Sequence, residues 1–240
     1  MFAVHSISAS AWLTGLLVIW ATLLLGSVVA SFLSWQHMAT GLRLASSLAL
    51  VVAAWSWYLV ARGTPSVALF ALLVALGMTL SLVGDLLLAD ALPIQQGFLA
   101  GMVAFALGHL AYIAAILSQT PYFQWAVEGF ALLVGLAGWH AVVFRGGKDA
   151  MLLRWAALPY ALLLATTAGL AVGLAIQTSV FLPLALGATL FLVSDLLAAG
   201  ERFGSLRLPH VGDAVWLTYG PAQMLIVYAV NSALVAAALH

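Results

Sequence analysis

Cysteine is absent from this 240-residue chain, and charge is scarce: seven Lys and Arg balance seven Asp and Glu, together 6% of the residues. Without cysteine there is no disulfide, no thiolate nucleophile and no Cys-ligated metal, and the redox compartment stays open. A soluble domain typically carries about 25% charged residues, so the charge deficit excludes that class. Zero formal net charge and the lack of a basic run remove the electrostatic footprint that nucleic acid requires. Long polar linkers are missing as well, and no break between apolar runs has room for a soluble domain.

Hydrophobic residues make up 65% of the chain. A spanning helix needs about 20 apolar residues, because it rises about 1.5 Å per residue across a hydrocarbon layer about 30 Å thick. Eight segments meet that requirement: Ala11 to Leu33, Leu42 to Ala61, Ser66 to Ala89, Ile94 to Ser118, Phe123 to Phe144, Leu152 to Leu174, Val180 to Ala199 and Val211 to Ala238. Short breaks with turn chemistry separate them, among them Arg62-Gly-Thr-Pro65, Gln119-Thr-Pro121, Arg145-Gly-Gly-Lys148 and Gly204-Ser-Leu-Arg-Leu-Pro209. The expected fold is all-α, a polytopic integral membrane bundle of eight transmembrane helices forming one domain over residues 1–240. The first run follows an N-terminus without Lys or Arg and exceeds a signal-peptide core in length, so it is expected to be a retained span. Arg43, Arg145, Lys148, Arg154, Arg202 and Arg207 flank odd-numbered connections, whereas Arg62 alone flanks an even-numbered one. Positive loops prefer the cytoplasm, which predicts both termini outside it in a multi-pass protein of a bacterial inner membrane.

Two near-identical octets stand out, Leu82-Val-Gly-Asp-Leu-Leu-Leu-Ala89 and Leu192-Val-Ser-Asp-Leu-Leu-Ala-Ala199, each with one carboxylate inside an apolar run. A lone ionisable residue in a bilayer costs several kcal/mol, so matched instances point to an interior polar site shielded from lipid. The expected topology puts Asp85 and Asp195 in one leaflet, roughly 6 to 8 Å from the ends of helices three and seven. The octets lie four helices apart, which fits a weak parallel 4+4 repeat. The plain alternative is helix-end capping or an ion pair, such as Asp195 with Arg202. Asp90, Asp149, Glu201 and Asp213 lie at connections, where water is expected to solvate them.

Other polar residues fall within the runs. His109 and Tyr112 are three apart and share a face of helix four, and Tyr219 and Gln223, four apart, share a face of helix eight. For His109 the plain reading is a hydrogen bond between helices; Tyr112 and Tyr219 equally suit packing or an interfacial belt. Trp12, Trp35, Trp125, Trp155 and Trp216 lie near span ends and are expected to anchor helices at the interface.

The octet around Asp85, the stretch Gly108-His-Leu-Ala-Tyr112, the run Phe191-Leu-Val-Ser-Asp-Leu-Leu-Ala-Ala-Gly-Glu-Arg-Phe203 and the late Leu217-Thr-Tyr-Gly-Pro-Ala-Gln-Met-Leu-Ile226 together resemble the lysoplasmalogenase family of YhhN-like membrane proteins. The order and spacing of the motifs agree over roughly the whole chain. The resemblance implies a membrane hydrolase that cleaves the vinyl ether bond of lysoplasmalogens to a fatty aldehyde and a glycerophospho-amine. It implies a lysophospholipid substrate drawn from membrane lipid and no cofactor or metal, and leaves the oligomeric state open. Gly220-Pro221 departs from the family pattern, and a proline there is expected to bend helix eight near Tyr219 and Gln223.

The implied chemistry suits two carboxyls. Vinyl ether hydrolysis starts with protonation of the carbon beta to oxygen, and water then captures the oxocarbenium ion. A general acid must hold a proton at neutral pH, and as a rule low dielectric and a second nearby carboxyl both favour that. Asp85 and Asp195 are the candidate pair, one donating and the other stabilising the cation and orienting water, as around a glycosidic bond. Ser194, His109, Tyr112, Tyr219 and Gln223 are candidates for holding water or the glycerol hydroxyl, or for tuning the pair through hydrogen bonds. Arg202 and Arg207 are candidates for the phosphate, against a plain role as positive-inside anchors. The expected cavity is lined by helices three, four, seven and eight.

Three rivals remain open. A metal-dependent intramembrane lipid hydrolase needs several inward histidines, whereas His5, His37, His140 and His210 lie near span ends or loops. A proton-coupled transporter of small molecules or lipid also uses embedded aspartates, but favours broken helices near the midplane. An aspartyl intramembrane protease carries Gly-x-Gly-Asp and Tyr-Asp pairs, where this chain has Leu82-Val-Gly-Asp85 and Val193-Ser-Asp195.

Overall fold

In lipid every backbone N–H and C=O must find its partner within the protein, and a chain this apolar does so by forming helices. The computed structural model describes residues 2–146, 151–204, 206 and 209–238; Lys148, Asp149, Arg207 and His240 lie outside the described residues. The helices are α1 (Phe2–Phe32), α2 (Gln36–Ala61), α3 (Pro65–Leu88), α4 (Gly97–Gln119), α5 (Trp125–Gly138), α6 (Met151–Gln177), α7 (Leu182–Phe203) and α8 (Val211–Ala238), with no strand among the described residues. A π-helical segment, Trp139–Phe144, continues α5, and a 3₁₀ turn, Ser179–Phe181, leads into α7. Eight helical stretches are long and apolar enough to cross a membrane, and the protein is a multi-pass integral membrane protein.

Several boundaries differ from the sequence expectation: α1 begins at Phe2 rather than Ala11, α4 at Gly97 rather than Ile94, and α6 ends at Gln177 rather than Leu174; two more bear on the candidate site. α2 begins at Gln36 rather than Leu42, and α7 runs to Phe203 rather than Ala199. Hydropathy ends where the apolar run ends, but helical hydrogen bonding continues through polar residues that reach water. Phe203 also holds the last turn of α7 in place by packing with Trp139, Val143 and Ala157. Gly204 then stops the helix in the left-handed conformation, φ 79°, which glycine adopts without steric penalty. Asp195 consequently lies eight residues before the end of its helix and Asp85 only three, so the matched octets do not sit equally far from their helix ends.

Consecutive helices pair as the hairpins α1/α2, α3/α4, α5/α6 and α7/α8; α3 also packs on α2 and α8, and α6 touches both α4 and α7. This pairing does not by itself establish a repeat. With lipid outside, packing relies on close approach between small residues. On α3 a Cβ at Gly77 would lie 2.3 Å from the Tyr112 ring, and one at Gly84 would lie 2.6 Å from the Phe105 ring. Gly84 of the first octet thus admits an aromatic ring of α4. Phe105, Phe191 and Tyr219 meet edge to face in the centre of the bundle, while Leu25, Phe130 and Leu133 lie on the exposed outer surface.

Candidate active site

Asp85 and Asp195 line one cavity of about 350 Å³. It lies at the end of the bundle where the odd-numbered connections fall, between the last turns of α3 and α7, the first turns of α2, α4 and α8, and the adjoining ends of the α5 π segment and α6. Helices α3, α4, α7 and α8 line it as the sequence suggests, but so do α2, the π segment and α6 through Arg43, Trp139 and Tyr160. The wider lining follows from the packing of α2 on α3 and α8 and of α6 on α4 and α7.

The two carboxyls share this cavity, but their surroundings differ. Asp85 is only 5% exposed, and its Oδ2 accepts hydrogen bonds from Ser47 Oγ at 2.6 Å and Tyr219 Oη at 3.0 Å. Asp195 is partly exposed to the cavity, and Tyr160 Oη donates to its Oδ2. Ser47 and Tyr160 are absent from the sequence reading. A hydroxyl in an apolar run is ordinary in membrane helices, and only the approach of α2 to α3 and of α6 to α7 turns these two into carboxylate partners.

Tyr219 is itself part of a chain. Tyr112 Oη donates to Gln223 Oε1 at 2.7 Å, and Gln223 Nε2 donates to Tyr219 Oη at 3.2 Å. The order Tyr112, Gln223, Tyr219, Asp85 therefore links α4, α8 and α3 by buried hydrogen bonds. Pro221 lies inside α8, yet the contact between Gln223 and Tyr219 keeps both on one face. Neither Tyr112 nor Gln223 lines the cavity; they reach it only through Tyr219. His109 stands apart. Its Nδ1 pairs with Thr167 Oγ1 on α6 at 3.0 Å, its ring packs against Phe191 at 4.5 Å between centroids, and Nε2 has no partner among the described residues. This arrangement matches a helix-to-helix bond. Ser194 lines the cavity, and its Oγ donates to the Val215 carbonyl at 3.1 Å, tying α7 to α8.

Two expectations need correction. Asp213, expected at the membrane surface, is buried at 6% exposure. It pairs with Arg43, accepts from Ser31 Oγ at 3.0 Å, and has His210 Nδ1 3.3 Å away. The first turn of α8 faces α1 and α2 rather than water, which a hydropathy boundary does not reveal. Trp216, expected as an interfacial anchor, lines the cavity, packs edge to face on Tyr219 at 5.2 Å and carries the Arg43 guanidinium 5.9 Å from its ring centroid. Asp90 and Glu201 are exposed, as expected. Arg202 lines the cavity with its guanidinium 4.8 Å from the Phe98 ring centroid.

The π segment adds a register change that the apolar pattern does not show. It brings Trp139 and Val143 to the cavity wall, and Trp139 Nε1 donates to the Arg154 carbonyl at 2.9 Å. His37, His140 and His210 are exposed while His109 is buried. Among the described residues no three His, Cys, Asp or Glu side chains are grouped so that they would hold a metal ion.

The fold is that of an eight-span helical membrane protein with two carboxyls on one apolar-walled cavity. The chain belongs to the YhhN family, whose model matches residues 38–230. That range includes both octets and every cavity residue named above. Comparison with curated proteins and with solved structures finds no match.

Proposed function

We propose that the protein is a membrane hydrolase of the lysoplasmalogenase type, which cleaves the vinyl ether bond of a lysophospholipid by acid catalysis with Asp85 and Asp195. The observation that carries this reading is the placement of both carboxyls on one apolar-walled cavity. Membership of the YhhN family supports a hydrolase at the level of the family. A single-chain lipid needs apolar wall for its chain and polar groups at its head; Leu164, Leu192 and Phe105 offer the first, and Arg43 and Arg202 the second.

In the proposed sequence Asp195, the carboxyl more exposed to the cavity, gives its proton to the alkenyl carbon beta to the ether oxygen. The C=C π electrons form the new C–H bond and leave an oxocarbenium ion. Asp85, oriented by Ser47 and Tyr219, stabilises this cation and accepts a proton from the attacking water. As the hemiacetal breaks its C–O bond to the glycerol oxygen, Asp85 returns its proton to that oxygen and the hemiacetal hydroxyl gives its proton to Asp195, which restores both carboxyls and releases fatty aldehyde and glycerophospho-amine. No serine or cysteine acyl-enzyme takes part, so ester-linked lysolipid is not a substrate of this route. The Arg-bearing end of the bundle faces the cytoplasm of a bacterial inner membrane by the positive-inside rule.

The test is aldehyde release by purified protein in detergent from an alkenyl-linked lysolipid, beside its ester-linked counterpart and with and without a strong chelator. Cleavage of the alkenyl lipid alone, unaffected by chelation, is the expected result. No aldehyde from a folded sample overturns the proposal, and loss on chelation that zinc restores replaces it with a metal-dependent hydrolase.

A further inference from the structure

Arg43 occupies an unusual place for a guanidinium. It lies about two turns inside α2, its side chain is 13% exposed, and it lines the same cavity as the two carboxyls. An arginine inside a membrane protein without a counter-charge is costly, and Asp213 on α8 supplies that charge. Asp213 is in turn braced by Ser31 of α1, and the indole of Trp216 lies near the guanidinium. Asp213 engages one terminal nitrogen of the guanidinium, and the buried Nε has no partner among the described residues. A guanidinium fork offers five N–H donors in one plane, suited to bidentate contact with phosphate oxygens.

The spacing along α2 adds a second, independent observation. Thr40, Arg43 and Leu44 line the cavity, and Ser47 holds Asp85; at offsets of three, four and seven they form one helix face. Arg43 is four residues from Ser47, about 6 Å along the helix axis. α8 runs alongside in the same order, with Asp213 meeting Arg43 near the mouth and Tyr219 meeting Asp85 deeper in. In a glycerophospholipid the ether oxygen at one end of glycerol and the phosphorus at the other are five bonds apart, roughly 6 Å when extended at about 1.2 Å per bond. The two rungs are about 6 Å apart along α2 and about 9 Å apart along α8, where Asp213 and Tyr219 are six residues apart, which leaves room for that length.

We infer that Arg43, held by Asp213 and Trp216, is the phosphodiester-binding residue of this cavity and sets how far the alkenyl group reaches toward the carboxyls. The inference rests on the lysophospholipid reading above for its substrate class. It replaces Arg202 as the principal phosphate ligand, because Arg202 is exposed and lies on α7 rather than on the helix that carries Ser47.

The experiment measures binding separately from cleavage. Two non-cleavable alkyl ethers of equal chain length, an alkyl lysophospholipid and the phosphate-free alkylglycerol, are titrated into the purified full-length protein in detergent. The wild type is expected to bind the phospholipid about tenfold or more tightly, the scale of a charged hydrogen bond. Arg43→Gln is expected to reduce that preference by about tenfold or more, with Arg43→Lys between the two. Arg43→Gln leaves Asp213 unpaired, so the double variant Arg43→Gln, Asp213→Asn, which removes both charges, carries the same expectation. Equal binding of the two ethers by the wild type, or an unchanged preference in the folded variants, overturns the inference. Displacement of the phospholipid by inorganic phosphate at a similar concentration overturns the lipid assignment in favour of free phosphate. If the preference depends on Arg43 but alkenyl lysolipid is not cleaved, the anion subsite stands and the hydrolase reading falls.

Discussion

α3 and α7 carry almost the same octet, yet the bundle treats the two differently. In α3 the residue before the aspartate is Gly84, which makes room for the Phe105 ring; in α7 it is Ser194, which hydrogen bonds the α8 backbone. Asp85 has two hydroxyl donors and stands at the end of a hydrogen-bonded chain through Tyr219, Gln223 and Tyr112. Asp195 is held by Tyr160 and is more exposed to the cavity. α2 supplies a serine to its neighbour's carboxyl where α6 supplies a tyrosine, so nearly identical local sequence ends in one buried, firmly oriented carboxyl and one cavity-facing carboxyl. A division of labour between two equal motifs arises from their neighbours.

The largest effects test whether both carboxyls are needed. Asp85→Asn and Asp195→Asn each are expected to lower aldehyde release by about 10² to 10⁴ while the protein still folds and inserts. The double variant is expected to be little worse than either single, because groups acting as a unit are not additive. Near-normal turnover by one single variant breaks the pair and leaves a structural role for that aspartate.

Next in size is the buried ion pair near the mouth. Asp213→Asn is expected to destabilise the protein by about 3 kcal/mol, since it strands Arg43 without its counter-charge. Asp90→Asn, on the surface, is expected to shift stability by less than about 0.5 kcal/mol. Thermal unfolding in detergent compares them, and equal melting temperatures would show that the Arg43 pair contributes nothing.

The donors sharpen the contrast between the octets. Tyr160→Phe removes the hydroxyl that stabilises Asp195 as it becomes charged on giving up its proton, and is expected to lower kcat by about ten- to thirtyfold, on the scale of a hydrogen bond to a charged group. Ser47→Ala leaves Tyr219 on Asp85 and is expected to lower kcat by about three- to tenfold. A larger loss for Ser47→Ala than for Tyr160→Phe would reverse the proposed roles of the aspartates. The smallest effect belongs to His109. Its contact with Thr167 lies outside the cavity wall, so His109→Gln is expected to change kcat by less than about threefold, the loss of at most one modest hydrogen bond.

Much of the fold is legible because the bilayer imposes a simple rule on the chain. Apolar length marks out eight spans, and the structure moves their ends by up to nine residues, as at the start of α1, while keeping all eight. The aspartates are conspicuous for the same reason, since a carboxylate in an apolar run stands out. The pairing of Tyr219 with Gln223 follows from their four-residue spacing alone. Arg43 and Asp213 were harder to place, because a charge near the end of an apolar run looks alike whether it faces water or a neighbouring helix. Ser47 and Tyr160 raise no signal at all, as hydroxyl side chains are common in membrane helices.

By itself the amino-acid order determined the membrane class, the eight helices and the two carboxyls set within them. These follow from hydropathy and local spacing, which depend on residues close together in the chain. Only the tertiary structure decided which hydroxyl meets which carboxyl, that Asp213 is buried against Arg43, and that α2 and α6 help to wall the cavity. Those contacts join residues 35 to 170 positions apart, and no local pattern encodes how one helix approaches another.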